Sequence, residues 1–101
     1  MIVRGTTPTI RYKFQVINPS RIVVAYFTMI QNKTQILERD LSDAIIGENT
    51  VGWTLSQEDT LSLNPKQVVR FQCRYRTDDM SAFATITTEE KVYDVLKDGV
   101  I

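Results

Sequence analysis

The sequence predicts an all-β protein: a single immunoglobulin-like antiparallel β-sandwich of about seven strands, with one short helical turn near residues 57–61. Several segments alternate apolar and polar residues with a period of two, which is typical of strands that bury one face. These segments recur about every 8–12 residues and are separated by turn signals. The chain has 101 residues, 43% of them hydrophobic, which suits one domain over residues 1–101. A small closed barrel would satisfy the same periodicities.

The clearest strand runs through QVVRFQCRYR, residues 67–76. From Val69 onward its side chains alternate between an apolar and a charged face, and its aromatic and β-branched residues favour a half-buried sheet. The apolar face, which needs a second layer to cover it, carries Val69, Phe71, Cys73 and Tyr75. The opposite face carries Arg70, Gln72, Arg74 and Arg76.

Three strands are predicted in the first half of the chain. Residues 9–17 alternate and are followed by a turn at residues 18–20. Their inward residues are Ile10, Tyr12, Phe14 and Val16. Residues 21–31 are apolar on both faces, which is typical of a central strand that is covered twice, or covered once while it contacts a partner subunit. Residues 35–41 form a weaker strand that pairs with residues 21–31 as a hairpin.

A short strand and a helical turn are predicted next, after an irregular segment at residues 41–49. Residues 50–55 alternate so that one face points to the core. That face carries Val51, Trp53 and Leu55. Ser56 precedes Asp59 by three residues, as in a capping box, which predicts a helical turn at residues 57–61.

The last quarter of the chain predicts two more strands. Residues 81–88 return beside the arginine-bearing strand as a hairpin, Glu89 and Glu90 interrupt the pattern, and residues 91–96 form a last strand or a continuation. Residues 1–7 and 97–101 are not required by the sandwich pattern. We therefore expect these segments, the second of which ends in Val100 and Ile101, to be interaction arms on a neighbouring protein or frayed ends.

The composition argues against the usual catalytic and metal sites. The chain has no histidine, which removes the commonest general base and metal ligand. Its single cysteine, Cys73, cannot form an internal disulfide and is expected to be a small buried core residue. The acidic residues form no calcium-loop motif. We therefore expect a non-enzymatic protein without a cofactor.

Charge and hydropathy restrict the partners. Twelve basic and twelve acidic residues cancel, so no global field attracts nucleic acid or an anionic membrane. The opening MIVRGTTPT lacks the apolar core of a signal peptide, and the longest apolar run, residues 22–27, is too short to span a bilayer. We expect a soluble protein made in a cytoplasm, without a membrane partner.

The candidate binding site is the arginine stripe, because Arg70, Arg74 and Arg76 share the outer face of one strand. Arg11 and Lys13 would extend this stripe if their strand lies nearby. The stripe suits an arginine-anchored protein interface, a nucleic-acid surface, or a solvated face that neighbouring acids balance. Trp53 is expected in the core, since an exposed anchor would not alternate with apolar neighbours.

The order of several segments resembles small proteins encoded by bacteriophages and prophages of Gram-positive gut bacteria. These segments are RGTTP, VVAYFTMIQN, LERDLSD, WTLSQEDTLSL and VYDVLKDGVI, and the resemblance covers nearly the whole chain. More distantly, the plan is similar to the immunoglobulin-like N-terminal module of phage baseplate upper proteins, which anchors appendages to a tail.

The resemblance implies a structural component of a tailed-phage virion, made in the host cytoplasm. A tail, neck or baseplate adaptor is the expected role, and a capsid decoration protein is the alternative within the same class. Its expected partners are other virion proteins and further copies of itself. A nucleic-acid-binding module that uses the arginine-bearing strand remains the alternative from a different class.

Overall fold

Two antiparallel sheets face each other across an apolar core in the computed structural model of the chain, which describes residues 1–14 and 18–101. The predicted all-β sandwich is thereby confirmed. Within the described residues the strands are β1 (Ile2–Val3), β2 (Thr9–Lys13), β3 (Ile22–Gln31), β4 (Thr34–Asp40), β5 (Ile45–Ile46), β6 (Thr50–Thr54), β7 (Val69–Thr77), β8 (Ala82–Ala84), β9 (Thr88–Glu90) and β10 (Val92–Tyr93). The described helical elements are α1 (Gln57–Leu61) and 3-10 turns at Pro19–Arg21 and Leu41–Asp43.

The strand order is that of an immunoglobulin sandwich. One sheet has the order β2–β6–β5, and the other has the order β4–β3–β7–β8, with β9 also paired to β7. All of these pairs are antiparallel. Immunoglobulin domains likewise place strands B, E and D in one sheet and C, F and G in the other, with an added strand beside C in variable domains.

The centre of the core is aromatic. Phe27 of β3 stacks on Trp53 of β6 with ring centroids 5.4 Å apart, and neither residue is more than 1% exposed. The indole N–H of Trp53 donates a hydrogen bond to the carbonyl oxygen of Asp40 at 2.9 Å, so the one polar group of this ring is satisfied. Tyr12 of β2 lies 6.4 Å from Phe27 and 6.3 Å from Trp53 between ring centroids. These rings join the two sheets.

Most residues that the alternation assigns to the core are buried. The buried ones are Phe14, Val51, Trp53, Leu55, Val69, Phe71 and Cys73. Tyr12 and Tyr75 are only partly buried and pack against the margin of the core. The ring of Tyr75 lies between those of Phe14 and Phe83, with centroids 5.0 and 5.3 Å away.

Helix α1 occupies the residues that the capping pattern predicts. The hydroxyl oxygen of Ser56 accepts a hydrogen bond from the backbone N–H of Asp59 at 3.0 Å, and the Asp59 carboxylate accepts one from the N–H of Ser56 at 2.9 Å. Thr60 is fully buried and donates its hydroxyl to the carbonyl of Thr6 at 2.8 Å. The helix therefore holds the beginning of the chain against the sandwich.

Residues 1–7 do not form a free arm, because they pack on the domain through a separate two-stranded sheet, β1–β10. Strand β1 pairs in parallel with β10, and Ile2, which lies opposite Val92, is 2% exposed. The guanidinium of Arg4 donates to the Asp94 carboxylate at 2.6 Å and to the carbonyl of Leu61 at 2.9 Å. This two-residue pairing joins segments about ninety positions apart, so the local pattern does not reveal it.

Several strand boundaries also differ from the prediction. Strand β2 ends at Lys13, and residues 15–17 of the predicted strand lie outside the described residues. The single strand predicted at residues 81–88 is instead the pair β8 and β9, which raises the strand count above seven. The sequence predicts that Glu89 and Glu90 interrupt the strand, which is wrong, because both lie in β9. The register places Glu89 opposite Arg70, and this ion pair offsets the low strand preference of glutamate.

Candidate interface on the outer face of the longer sheet

The predicted arginine stripe lies on the outer face, which we define as the side of the sheet β4–β3–β7–β8 that is turned away from the core. Arg70 and Arg74 of β7 are exposed on it, and Arg76 is partly exposed. Arg11 and Lys13 do not extend the stripe, because β2 belongs to the other sheet. That part of the prediction is wrong, and the stripe is confined to one strand.

The strand register builds a central column on β3, beside the arginines. Its members are Val24, Tyr26, Thr28 and Ile30, which lie directly opposite Arg76, Arg74, Gln72 and Arg70 of β7. Tyr26 is 46% exposed and Ile30 is 40% exposed, which is high for large side chains in the middle of a sheet. Strand β3 is therefore covered once, by the core, and its second apolar face is open in the isolated chain.

An acidic column lies on the other side of β3, along the edge strand β4. Glu38 is opposite Thr28 and accepts a hydrogen bond from its hydroxyl at 3.3 Å, and Asp40 is opposite Tyr26. The hydroxyl and backbone N–H of Ser42 donate to the Asp40 carboxylate and hold its pKa below the usual range. Both carboxylates are exposed on the surface. The sequence alone does not reveal this column, because its position depends on the hairpin register and on a bulge between Met29 and Ile30.

The basic column consists of Arg70, Arg74 and Arg76. The Nε of Arg70 donates to the Glu89 carboxylate at 2.9 Å, which leaves this charge largely balanced. Within the described ranges, Arg74 and Arg76 form no ion pair, and the Nε of Arg76 is buried without a hydrogen-bond partner. One interpretation of the stripe is a solvated face whose charge is balanced by neighbouring acids. That interpretation therefore fits Arg70 but not Arg74 or Arg76.

A shallow depression of about 270 Å³ lies where the three columns meet. Tyr26, Glu38 and Arg74 line it together with neighbouring residues of β3, β7 and β8. It is open to solvent and brings an aromatic ring, a carboxylate and a guanidinium to one surface. Such a combination suits contacts with another protein surface, where tyrosine and arginine are the favoured anchors.

The other two predicted interface residues, Val100 and Ile101, lie beside α1. The side-chain amide of Gln57 holds Ile101 at both backbone groups: it donates to the carbonyl oxygen at 3.2 Å and accepts from the N–H at 2.8 Å. The side chains themselves point to solvent, since Val100 is 56% and Ile101 is 88% exposed. This segment therefore rests on the domain through its backbone and leaves its apolar groups free for contact.

The remaining candidates for chemistry are structural. Cys73 is 1% exposed, and burial raises the pKa of its thiol to about 11. Residues 1–14 and 18–101 contain no group of three or more histidine, cysteine or acidic side chains that could hold a metal ion. No helix in these ranges is long and apolar enough to cross a membrane.

Comparison of the chain with protein-family models, with curated proteins and with solved structures finds no significant match.

Proposed function

We propose that the chain is a structural and assembly component of a tailed-bacteriophage virion, at the tail, neck or baseplate. One observation carries the assembly role: the outer face combines exposed apolar residues of β3 with arginines of β7 that have no ion pair in the described part of the chain. Desolvating such a surface against a partner removes apolar area from water and gives the arginines acceptors. The sequence resemblance supplies the phage setting.

The segment at residues 97–101 supports the same role. Its two apolar residues, Val100 and Ile101, both expose more than half of their surface, and the preceding Leu96 is also exposed. Exposed apolar side chains on a backbone that the domain already positions suit a contact that forms on assembly. A capsid decoration protein would use the same surfaces, so the position within the particle is a separate question from the assembly role.

Incorporation into particles tests the proposal. We would express a tagged chain in infected host cells and quantify it in purified virions by mass spectrometry, and then locate it by electron microscopy. The double variant Arg74→Ala/Arg76→Ala is expected to reduce incorporation at least about tenfold, because arginine anchors at an interface carry much of its binding energy. The matched control Arg11→Ala/Lys13→Ala removes two positive charges from the other sheet and should be incorporated normally.

Absence of the unaltered chain from virions would overturn the proposed setting. Equal incorporation of both double variants would instead show that the outer face is not the contact surface. A location on the capsid shell would replace the tail, neck or baseplate role with decoration.

A nucleic-acid-binding module is the second candidate, because Arg74 and Arg76 present guanidinium groups that no acid of the described residues engages. If two or three phosphates contact the basic column, the logarithm of the affinity for duplex DNA should fall with the logarithm of salt concentration with a slope of about −2 to −3. Fluorescence anisotropy with a labelled duplex measures this slope. Binding too weak to detect at low salt would remove this candidate.

A further inference from the structure

The charge of the outer face changes sign from one side to the other. The acidic column on β4 and the basic column on β7 flank the central column on β3, and neighbouring strands are about 4.8 Å apart. A uniformly acidic partner would suit β7 but would be repelled by Glu38 and Asp40, and a basic partner would meet the opposite problem. The face therefore fits a surface with the same three columns in reversed order.

We propose that a second copy of this chain supplies that surface and that two copies pack by their outer faces around a two-fold axis parallel to β3. This proposal names a partner for the assembly role proposed above and rests on its premise that the outer face is a contact surface. Rotation about this axis places the β3 column of one copy on the β3 column of the other. It also places the acidic column of each copy on the basic column of its partner.

Charge selects this axis over the other two-fold arrangement. An axis perpendicular to the strands and in the plane between the copies would place β4 on β4 and β7 on β7, which opposes like charges. With the axis along β3, Asp40 of each copy meets Arg74 of the other, and Glu38 lies within reach of the same guanidinium.

The size of the face indicates a weak, reversible dimer. Three strands about 14 Å wide and about 30 Å long give a footprint of about 400 Å² per copy, compared with roughly 800 Å² per partner in stable complexes. A contact of this size is populated only when the local concentration is high, as among repeated copies in a particle. The isolated chain should therefore be in equilibrium between monomer and dimer.

Charge reversal on the purified full chain tests the geometry. Analytical ultracentrifugation from about 5 µM to about 1 mM protein should show dimer formation by the unaltered chain, weakening with added salt. Glu38→Arg and Arg74→Glu should each weaken dimerisation at least about tenfold, because the first creates two like-charge contacts per dimer and the second creates four. Both side chains are exposed, so thermal melts and circular dichroism should show that both variants fold.

Mixing the two variants gives the decisive measurement. In an equimolar mixture, a copy carrying Glu38→Arg should pair with a copy carrying Arg74→Glu and dimerise more strongly than either variant alone. Recovery is incomplete, because Asp40 of the first copy still faces the new carboxylate at position 74 of the second. The double variant Glu38→Arg/Arg74→Glu should likewise dimerise more strongly than either single variant. The matched controls Glu48→Arg and Lys13→Glu, at exposed positions of the other sheet and its turn, should change dimerisation less than about twofold.

Three results would overturn the dimer: a chain that stays monomeric over the whole range, single variants that dimerise like the unaltered chain, or a mixture that stays monomeric. Loss of dimer with Arg74→Glu but not with Glu38→Arg would also overturn the two-fold geometry, since both substitutions place like charges at the same contact. These measurements use the chain alone, whereas the assembly role is tested in virions, so failure of one is distinguishable from failure of the other.

Discussion

At the scale of single residues, burial decides the chemistry of the one cysteine. Cys73 lies in the middle of β7 with 1% of its surface exposed, and burial raises its thiol pKa to about 11. A thiol with that pKa carries almost no thiolate at neutral pH, and the thiolate is the reactive form. The alternation of β7 predicts this position, so the sequence alone identifies Cys73 as a packing residue.

The first expected outcome concerns alkylation of this thiol. At pH 8 the native chain should react with iodoacetamide at least about 100-fold more slowly than the chain unfolded in urea, because access and ionisation both disappear on burial. Mass spectrometry against time measures both rates. The control variant Cys73→Ala/Glu48→Cys carries an exposed thiol and should react rapidly when folded. Comparable rates for native and unfolded Cys73 would contradict its burial.

Asp79 supplies an expected pH dependence. The hydroxyl of Thr77 and the backbone N–H of Ser81 donate to its carboxylate and lower its pKa from 3.8 to about 2. A carboxyl whose folded pKa is depressed stabilises the fold above its unfolded pKa and loses this contribution as the pH falls through its folded value. The stabilisation from Asp79 is therefore present above about pH 4 and lost toward about pH 2.

Urea unfolding between about pH 5 and pH 2 measures this contribution. Asp79→Asn keeps an oxygen acceptor for Thr77 and Ser81 but cannot be protonated, so its unfolding free energy should fall less over this range than that of the unaltered chain. Thr7→Ala, an exposed change that removes no titratable group, is the control and should keep the pH dependence of the unaltered chain. Identical profiles for Asp79→Asn and the unaltered chain would refute the assignment.

At the scale of elements, local chemistry predicts some segments closely and others poorly. Helix α1 is predicted to the residue, because a capping box is a short-range signal. Strand β7 and the hairpin β3–β4 follow from alternation and turn residues. Strands β1 and β9 are missed, because both depend on partners distant in sequence: β1 on β10, and Glu89 of β9 on Arg70.

Strand β1 gives an expected stability effect at this scale. Ile2 is 2% exposed in the core cluster, so Ile2→Ala should lower the unfolding free energy by about 2–4 kcal/mol through lost burial and a cavity. Thr7→Ala, an exposed change in the same segment, should alter it by less than about 0.5 kcal/mol. Urea denaturation measures both values. A negligible effect of Ile2→Ala would mean that the segment frays in solution.

At the scale of the whole molecule, periodicity predicts the two layers but not how their surfaces are composed. The alternation of β7 predicts an arginine face and an apolar face, and both are present. Which side chains meet on the outer face depends on the order of the strands in the sheet and on the bulge that sets the β3–β4 register. Tyr26, Glu38 and Arg74 therefore share one depression although nothing in their sequence spacing relates them.

The fluorescence of the single tryptophan, Trp53, should report on contacts made by the outer face. Trp53 stacks on Phe27, whose strand presents Tyr26 and Thr28 to the opposite side, and its indole N–H is bonded to the carbonyl of Asp40. Its emission should be blue-shifted, as for an indole shielded from water. Only the sheet that contains β3 separates the indole from a protein bound on the outer face. Small displacements of β3 or β4 on docking would then register as a change in intrinsic fluorescence, without any label attached to the chain.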